Sequence, residues 1–200
     1  MLAARWLEHP LGYQLAQAVL YKAGMRTAYV REHVKAKPGD KVLDLGCGPG
    51  TILEQLPAVD YTGFDFNEGY IARARARYGR RGRFTALRIG ETLPIETGSF
   101  DVAMANAVLH HLDDAEAGQL LGTAHAALKP GGRFVSLDGC FLTGQHPVAR
   151  FLLEWDRGRH VRTREGYERL IRRWFPRVEA HLRRDMIRVP YDLIIFECMK

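Results

Sequence analysis

A short segment that runs from an apolar stretch through an acidic residue into closely spaced glycines most constrains the fold of this chain. It reads Val-Leu-Asp-Leu-Gly-Cys-Gly-Pro-Gly over residues 42–50, with glycines at positions 46, 48 and 50. Because glycine has no Cβ, it allows tight turns and lets the backbone approach a ligand closely. The pattern predicts a strand, a tight turn, and a helix that begins at Thr51 and directs free N–H groups at a ligand.

The acidic residue, Asp44, indicates what kind of ligand this turn binds. A carboxylate two residues before the first glycine would repel a pyrophosphate, but it suits a ligand that carries an ammonium group. The dinucleotide fingerprint G-x-G-x-x-G would place its third glycine at position 51, which is Thr51. The segment instead reads D-x-G-x-G-x-G, and it resembles the first motif of the class I S-adenosylmethionine (SAM) dependent methyltransferases.

From residue 38 onwards, predicted strands and helices alternate along the chain. Strands are predicted over residues 41–44, 61–64, 83–88, 100–105 and 133–137, and helices over residues 51–56, 68–78 and 115–128. A further helix over 163–174, with Thr163 as its N-cap, precedes two predicted strands over 177–183 and 192–198. This pattern predicts an α/β fold with a doubly wound, mostly parallel seven-stranded sheet, helices on both faces, and an antiparallel C-terminal hairpin.

Two hundred residues suit a domain of ordinary size, and residues 1–37 show helical spacing of their apolar positions. We therefore expect an N-terminal helical cap over 1–37 and, from the resemblance, a SAM-binding methyltransferase region over 38–200. The chain is 46% hydrophobic and 26% charged, without a signal peptide or a long apolar stretch, which predicts a cytoplasmic protein with no membrane insertion. Its three cysteines are widely separated, so we expect neither disulfides nor a metal site.

The second predicted strand ends at Asp65, which is followed by Phe66. An acidic residue at such a position can accept hydrogen bonds from both hydroxyls of a ribose, and it disfavours a cofactor with a 2′-phosphate. A helix-capping role for Asp65 is the alternative. In similar methyltransferases an aspartate two residues before Glu91 usually contacts the adenine amino group, but here that position is Ile89. The backbone near Gly90 or the Glu91 side chain could take over that contact.

The resemblance thus implies SAM as the cofactor, and a set of residues at the turn and strand ends that bind it. The predicted cofactor site consists of Asp44, Gly46, Cys47, Gly48, Gly50, Asp65, Phe66, Gly90, Glu91 and Asn106. Asn106 ends the fourth predicted strand, where open α/β sheets place ligands. His110 and His111 follow it, and either could act as a general base, since imidazole titrates near neutral pH. The alternative is that one of them packs beneath the loop.

The acceptor is constrained mainly by motifs that are missing. Residues 106–109 lack the two prolines found in similar enzymes that methylate adenine or cytosine amino groups, and no catalytic cysteine follows a proline. A small organic acceptor fits best. The net charge is +6, and several arginines cluster near a glycine after residue 155. An anionic acceptor is therefore predicted to bind Tyr13, Trp155, Arg159, His160 and Arg162.

Three alternatives stay open from the sequence. The chain could bind SAM without transferring a methyl group, or it could methylate RNA, although no RNA-binding module is appended to it. An NAD-dependent oxidoreductase is disfavoured by Asp44 and by Thr51. The sequence does not address the oligomeric state.

Overall fold

Seven strands lie side by side in one sheet in the computed structural model, which describes residues 22, 24–155 and 159–200. They are β1 (Lys41–Leu45), β2 (Asp60–Asp65), β3 (Gly82–Ala86), β4 (Phe100–Asn106), β5 (Leu128–Phe141), β7 (Arg177–Arg183) and β8 (Leu193–Met199). A short strand, β6 (Arg162–Thr163), pairs with the end of β5 outside this row. The order across the sheet is β3-β2-β1-β4-β5-β8-β7.

Within the described residues, five helices surround the sheet: α1 (Met25–Tyr29), α2 (Glu68–Tyr78), α3 (Asp114–Ala127), α4 (Pro147–Glu154) and α5 (Arg164–Ile171). A π-helical turn (Val30–Val34) continues α1, and 3₁₀ turns cover Thr51–Glu54 and Leu109–His111. Side-chain caps explain where several helices start. Asn67 caps α2, Asp113 forms a capping box with Glu116 at α3, and Thr163 caps α5 as predicted.

The predicted sheet is confirmed. The strands from β3 to β5 are parallel, whereas β8 runs antiparallel to both β5 and β7. Because β1 lies between β2 and β4, the connections leave it in opposite directions, and a crevice opens at the carboxyl ends of the strands. This crevice is where the polar residues singled out by the sequence come together.

The central strands are buried on both faces, so their side chains feed two separate apolar cores. Leu43 of β1 points into the core that contains α3 and α5, while its neighbour Val42 joins the core that contains the π-helical turn and α2. Both leucine and valine are fully buried. The helices on the two faces of the sheet thus have apolar sides that match the alternation along the strands.

Several elements differ from their predicted extents, among them the turn after β1 and strand β5. The turn after β1 continues as the 3₁₀ segment Thr51–Glu54 rather than a longer helix over 51–56. Strand β5 begins at Leu128 instead of residue 133, because Leu128 pairs with Phe100 across an irregularity in the register. The glycines before Arg133 are typical of a loop in the sequence. In the structure they lie inside β5, where the register with β4 shifts.

The N-terminal cap is described only in part. Residues 25–34 are helical, as predicted, but the division into a cap over 1–37 and a domain over 38–200 stays a prediction, since residues 1–21 lie outside the described residues. Among the helices of the described part, none has both the length and the apolar character required to cross a membrane.

We predict that Gly46→Ala destabilises the fold more than Gly144→Ala. Both glycines have positive φ, 82° and 68°, so both substitutions place alanine in a left-handed conformation that costs about 1–2 kcal/mol. Only at Gly46 would the new Cβ meet another residue, 2.4 Å from Val108 Cγ2, whereas nothing lies within 4 Å at Gly144. The overpacking adds about 1–3 kcal/mol to the loss in unfolding free energy, measured by urea denaturation. Equal losses of unfolding free energy in the two variants would contradict this prediction.

Candidate active site

The crevice at the carboxyl ends of the parallel strands holds a pocket lined by charged, polar and small residues. Its wall comes from the helix before β1, the turn after β1, the ends of β4 and β5, and the connection between β7 and β8. The lining residues are Arg26, Tyr29, Asp44, Gly46, Cys47, Gly48, Pro49, Thr51, Ile52, Asn106, Ala107, Leu137 and Met186.

Asp44 is the most unusual residue of this pocket, because its carboxyl group is buried and only half satisfied. The Tyr61 hydroxyl donates a 2.6 Å hydrogen bond to Asp44 Oδ2. Asp44 Oδ1 is buried and has no hydrogen-bond partner in the described part of the chain. Burial raises the pKa of Asp44 from 3.8 to about 7, although the Tyr61 hydrogen bond opposes this rise. A cationic group that enters the pocket would satisfy Oδ1 and favour the ionised carboxylate.

The glycine turn has a different function from the one predicted. The N–H groups of Gly46 and Cys47 both donate to the Phe64 carbonyl, and the N–H of Gly50 donates to the Cys47 carbonyl. The N–H of Gly48 donates to Asp65 Oδ2 at 2.9 Å. The donors at Gly46, Cys47 and Gly48 therefore hold the turn against β2, and the donor at Gly50 closes the turn on itself. None of these four N–H groups is free for a ligand, so that part of the prediction was wrong.

Close backbone approach at this turn is nevertheless possible. A Cβ on Gly48 would meet nothing within 4 Å, so this glycine faces open space. The preceding Cys47 is buried, and its side chain belongs to the apolar core on the side of α2. Burial raises the pKa of the Cys47 thiol well above its usual range, so the thiol stays protonated and does not act as a nucleophile.

Asp65 lies at the end of β2, next to the glycine turn. One carboxylate oxygen accepts from Gly48 N–H and the other from Asn67 N–H, so the side chain has a fixed orientation. Burial raises its pKa, while the two backbone hydrogen bonds lower it. The capping of α2 is done by Asn67, which leaves the remaining acceptor positions of Asp65 for a ligand. The adjoining Phe66 is 66% exposed, with the Arg88 guanidinium 5.8 Å from its ring centre.

The predicted adenine stretch lies after β3 and is exposed. Gly90 has a φ of 92°, and a Cβ there would lie 2.9 Å from Gln119 Oε1. The Glu91 carboxylate accepts a hydrogen bond from the Arg88 N–H at 2.8 Å, which closes a local turn. Ile89 is 37% exposed. The stretch therefore offers an apolar surface at position 89 and a carboxylate that already has one backbone partner.

Asn106 meets a residue that the sequence did not single out. The Tyr29 hydroxyl of α1 donates to Asn106 Oδ1 at 2.5 Å, across the pocket. The next residue, Ala107, has a φ of 57°, a conformation that is uncommon for residues other than glycine and often marks functional turns. Arg26, one turn before Tyr29, also lines the pocket. Nothing in the local sequence of α1 distinguishes these two residues, because their importance depends on where the helix packs.

His110 and His111 have different environments. His110 is buried, and its Nδ1 lies 2.8 Å from Asp138 Oδ1, which also accepts the His110 backbone N–H at 3.2 Å. Asp138 is almost fully buried near the end of β5, and its Oδ2 has no hydrogen-bond partner in the described ranges. His111 is exposed, and its ring centre lies 4.1 Å from that of His110. Asp138 is an acidic residue within the apolar run of β5, and this pattern could have identified it as a candidate site residue.

The loop that leads into β6 brings some of the predicted acceptor residues towards His110. The backbone N–H of His160 donates to the His110 carbonyl at 3.0 Å. Arg159 is exposed, and Trp155 at the end of α4 is 76% exposed with its ring near Phe151. Tyr13 lies outside the described residues.

Arg162 is not available for an anionic ligand in the predicted way. Its guanidinium donates to the carbonyls of Leu109 and Leu112, and it pairs with Asp114 Oδ1 at 2.7 Å. It also donates to the His160 carbonyl and lies over the Tyr167 ring, and its side chain is only 12% exposed. Arg162 therefore fixes the turn that carries His110, and its role is to position other residues rather than to bind substrate.

We predict that Arg162→Ala lowers the unfolding free energy, whereas Arg159→Ala leaves it nearly unchanged. Removing the Arg162 guanidinium deprives several acceptors of charged hydrogen bonds, each worth about 1.5–3 kcal/mol, so we expect a loss of at least about 2 kcal/mol. Arg159 is exposed, and its substitution is expected within about 0.5 kcal/mol of the parent. Chemical denaturation measures both, and an unaffected Arg162→Ala variant would return this residue to the substrate site.

Part of this chain is similar in sequence to known methyltransferases. A family model described as "Methyltransferase domain" matches residues 42–132. The chain is 39% identical over 107 residues to an uncharacterized 37.1 kDa protein of Streptomyces fradiae, covering 50% of this chain and 30% of that protein. It is 33% identical over 116 residues to a ubiquinone/menaquinone biosynthesis C-methyltransferase of Desulfotalea psychrophila, covering 54% of this chain and 46% of the relative. The chain thus spans half or less of these relatives.

Similarity to a solved structure extends beyond the residues that match the family model. A phosphoethanolamine N-methyltransferase 2 from Haemonchus contortus, in complex with phosphomonomethylethanolamine and S-adenosylhomocysteine, superposes with a TM-score of 0.80. The alignment covers 98% of this chain and 58% of the other, at 16% identity. At that identity the similarity establishes the fold, which includes the C-terminal hairpin.

Proposed function

We propose that this chain is a class I SAM-dependent methyltransferase, which binds SAM beside Asp44 and transfers its methyl group to a small organic acceptor. The observation that carries this proposal is the buried Asp44 Oδ1, which lines the pocket without a hydrogen-bond partner in the described structure. A buried carboxylate in that state is costly, and an ammonium group is the complement it lacks. The amino-acid end of SAM carries such a group.

The other pocket residues suit the remaining parts of the cofactor. Asp65 is oriented by two backbone N–H groups and keeps acceptor positions for the ribose hydroxyls. Gly48 faces open space, which allows the cofactor to approach the backbone. Exposed Phe66 and Ile89 provide apolar surface for the adenine, and Arg26 is a candidate partner for the carboxylate of the methionine end.

The sulfonium of SAM supplies an activated methyl group when the cofactor is bound. The protein is then required mainly to position the acceptor and to exclude water. Tyr29 and Asn106 join α1 to the end of β4 by a hydrogen bond and narrow one side of the pocket. The exposed rings of Phe151 and Trp155 would form part of an apolar acceptor wall, with Arg159 and His160 next to it.

His110 is the better candidate for a general base, because the buried Asp138 carboxylate lies beside its ring. Asp138 Oδ1 lies within hydrogen-bond distance of His110 Nδ1 and favours the tautomer in which Nδ1 carries the proton. The ring nitrogen that can then accept a proton is Nε2. A base is required only for an acceptor whose nucleophilic atom is protonated.

A small acceptor is supported by the similarity to proteins named as a ubiquinone biosynthesis O-methyltransferase, a phosphoethanolamine N-methyltransferase and a geranyl diphosphate C-methyltransferase. The atoms that these enzymes methylate differ, as their names state N-, O- and C-methylation. The residues of the proposed site do not favour nitrogen, oxygen or carbon as the atom that is methylated. A screen of a metabolite extract for S-adenosylhomocysteine formation separates methyl transfer from SAM binding alone.

We predict that SAM and S-adenosylhomocysteine bind with micromolar affinity or better, and that binding strengthens as the pH rises through about 7. The protonated Asp44 carboxyl, favoured by burial, must ionise to pair with the ligand ammonium. Between about pH 5.5 and about pH 7.5 we expect the affinity of S-adenosylhomocysteine to rise on the order of tenfold, measured by calorimetry.

The matched variant is Asp44→Asn, which can still accept from Tyr61 but cannot ionise. It should bind more weakly and lose most of the pH dependence. The stability of the ligand-free parent should change in the opposite direction. A raised folded-state pKa contributes stability that is fully present below pH 3.8 and is lost as the pH rises through about 7. The absence of any heat or thermal shift with either ligand at millimolar concentration would overturn the assignment.

We predict that Asp65→Ala weakens binding of S-adenosylhomocysteine by about 1–3 kcal/mol, the usual cost of losing a charged acceptor. Asp60→Ala is the control, because Asp60 lies at the opposite end of β2 and pairs with Arg83 on the surface. Calorimetry on both variants checks it. Parent-like binding by the Asp65 variant would exclude its role at the ribose.

A further inference from the structure

Outside the pocket, two histidines and a glutamate meet where the π-helical turn packs against the C-terminal hairpin. They are His33 of that turn, His181 of β7 and Glu197 of β8. One donor atom from each lies within 4.8 Å of the others. We propose that these three residues bind a divalent transition-metal ion, with Zn²⁺ as the best match, at a site separate from the pocket described above.

The distances between the ligand atoms support this proposal. His181 Nε2 lies 3.4 Å from Glu197 Oε1, yet it is buried and makes no hydrogen bond to any described residue. Two ligands bound to one tetrahedral Zn²⁺ at about 2.0–2.1 Å are separated by about 3.3 Å. His33 Nδ1 lies 2.8 Å from the same Glu197 oxygen, so that pair would have to separate by about half an ångström to admit the ion.

A fourth ligand is available from the same face of the hairpin. Glu179 stands directly opposite Glu197 in the register of β7 and β8, and its carboxylate lies 3.9 Å from His181 Nε2. Like charges directly opposite each other destabilise a strand pair, and a cation between them would relieve this repulsion. Two imidazoles and two carboxylates form a donor set suited to Zn²⁺.

The backbone around His33 is also unusual. The π-helical turn Val30–Val34 ends at Lys35, which has a φ of 51°. Such turns are rare within helices and occur frequently at functional sites. Here the turn brings His33 onto the hairpin while leaving Tyr29, one turn earlier, at the pocket. A bound ion would therefore fasten the helix that contributes Tyr29 to the two C-terminal strands.

Two cations border the site and must be accommodated. The Lys35 ammonium holds Glu197 Oε2 at 2.7 Å, which leaves Oε1 directed at the histidines and acts as an outer partner of the ligand. The Arg183 guanidinium lies 3.3 Å from His33 Nε2. If His33 binds the ion through Nδ1, its ring proton resides on Nε2, and Arg183 would turn towards Asp185 and Glu32, which it already contacts.

The test is Zn²⁺ titration of the metal-stripped full chain in competition with a chromophoric chelator. We expect one Zn²⁺ per chain with micromolar affinity or better, and a rise in melting temperature that a chelator reverses. His181→Gln and Glu197→Gln should each weaken binding at least about tenfold. The control is His125→Gln, since His125 lies on α3 at the other face of the sheet.

His181 is 39% exposed, so its substitution should leave the metal-free fold intact, and circular dichroism in chelator checks this. The His181→Gln variant therefore tests metal binding even if Glu197→Gln destabilises the hairpin. Co²⁺ added in place of Zn²⁺ should give the visible absorption of a four-coordinate ion in the parent and lose it in His181→Gln. Two results would overturn the proposal: no binding up to about millimolar Zn²⁺, or equal Zn²⁺ affinity in the parent and in His181→Gln. Either result would mean that the three residues form a hydrogen-bonded cluster and not a metal site.

Discussion

The attachment of the first turn to the second strand is the interaction on which the pocket depends. Gly46 and Cys47 donate to the Phe64 carbonyl, and Gly48 donates to the Asp65 carboxylate. These bonds satisfy the backbone donors of a turn that would otherwise be left without partners beside a buried strand end. They also orient Asp65 while Tyr61, on the same strand, orients Asp44. The two acidic residues therefore owe their geometry to β2 as much as to the turn.

Local sequence patterns predicted the elements well where a single principle determined them. The bounds of α2 and β7 agree with the structure, since a capping residue and alternating apolar positions define them. Asp44 was identified correctly as an unusual residue because an acidic side chain within an apolar run requires an explanation. Its raised pKa could not be predicted, because it results from burial of the carboxyl group in the folded chain. Its half-satisfied state could not be predicted either, because Tyr61 of a neighbouring strand donates to only one of the two oxygens.

Contacts between distant segments account for what the sequence could not reveal. Arg162 looked like part of an exposed cationic cluster, but its partners are the carbonyls of Leu109 and Leu112, about fifty positions earlier. His33 and Glu197 are 164 positions apart, so no spacing rule for metal ligands could relate them. Tyr29 likewise becomes part of the pocket only because the helix packs over β4.

The pocket reaches well beyond the stretch that carries the family resemblance. The matched residues end at position 132, yet Leu137 of β5 and Met186, which follows β7, both line the pocket. Met186 is fully buried, and its carbonyl accepts from the N–H of Lys22. Residues from near the two ends of the described chain thus meet beside the pocket. A fragment limited to the matched stretch would keep the glycine turn but would lose one wall of its cavity and most of β5, which leaves β4 as an unpaired edge. A segment that keeps the whole wall of the pocket must therefore extend through the C-terminal hairpin and cannot end with the matched stretch.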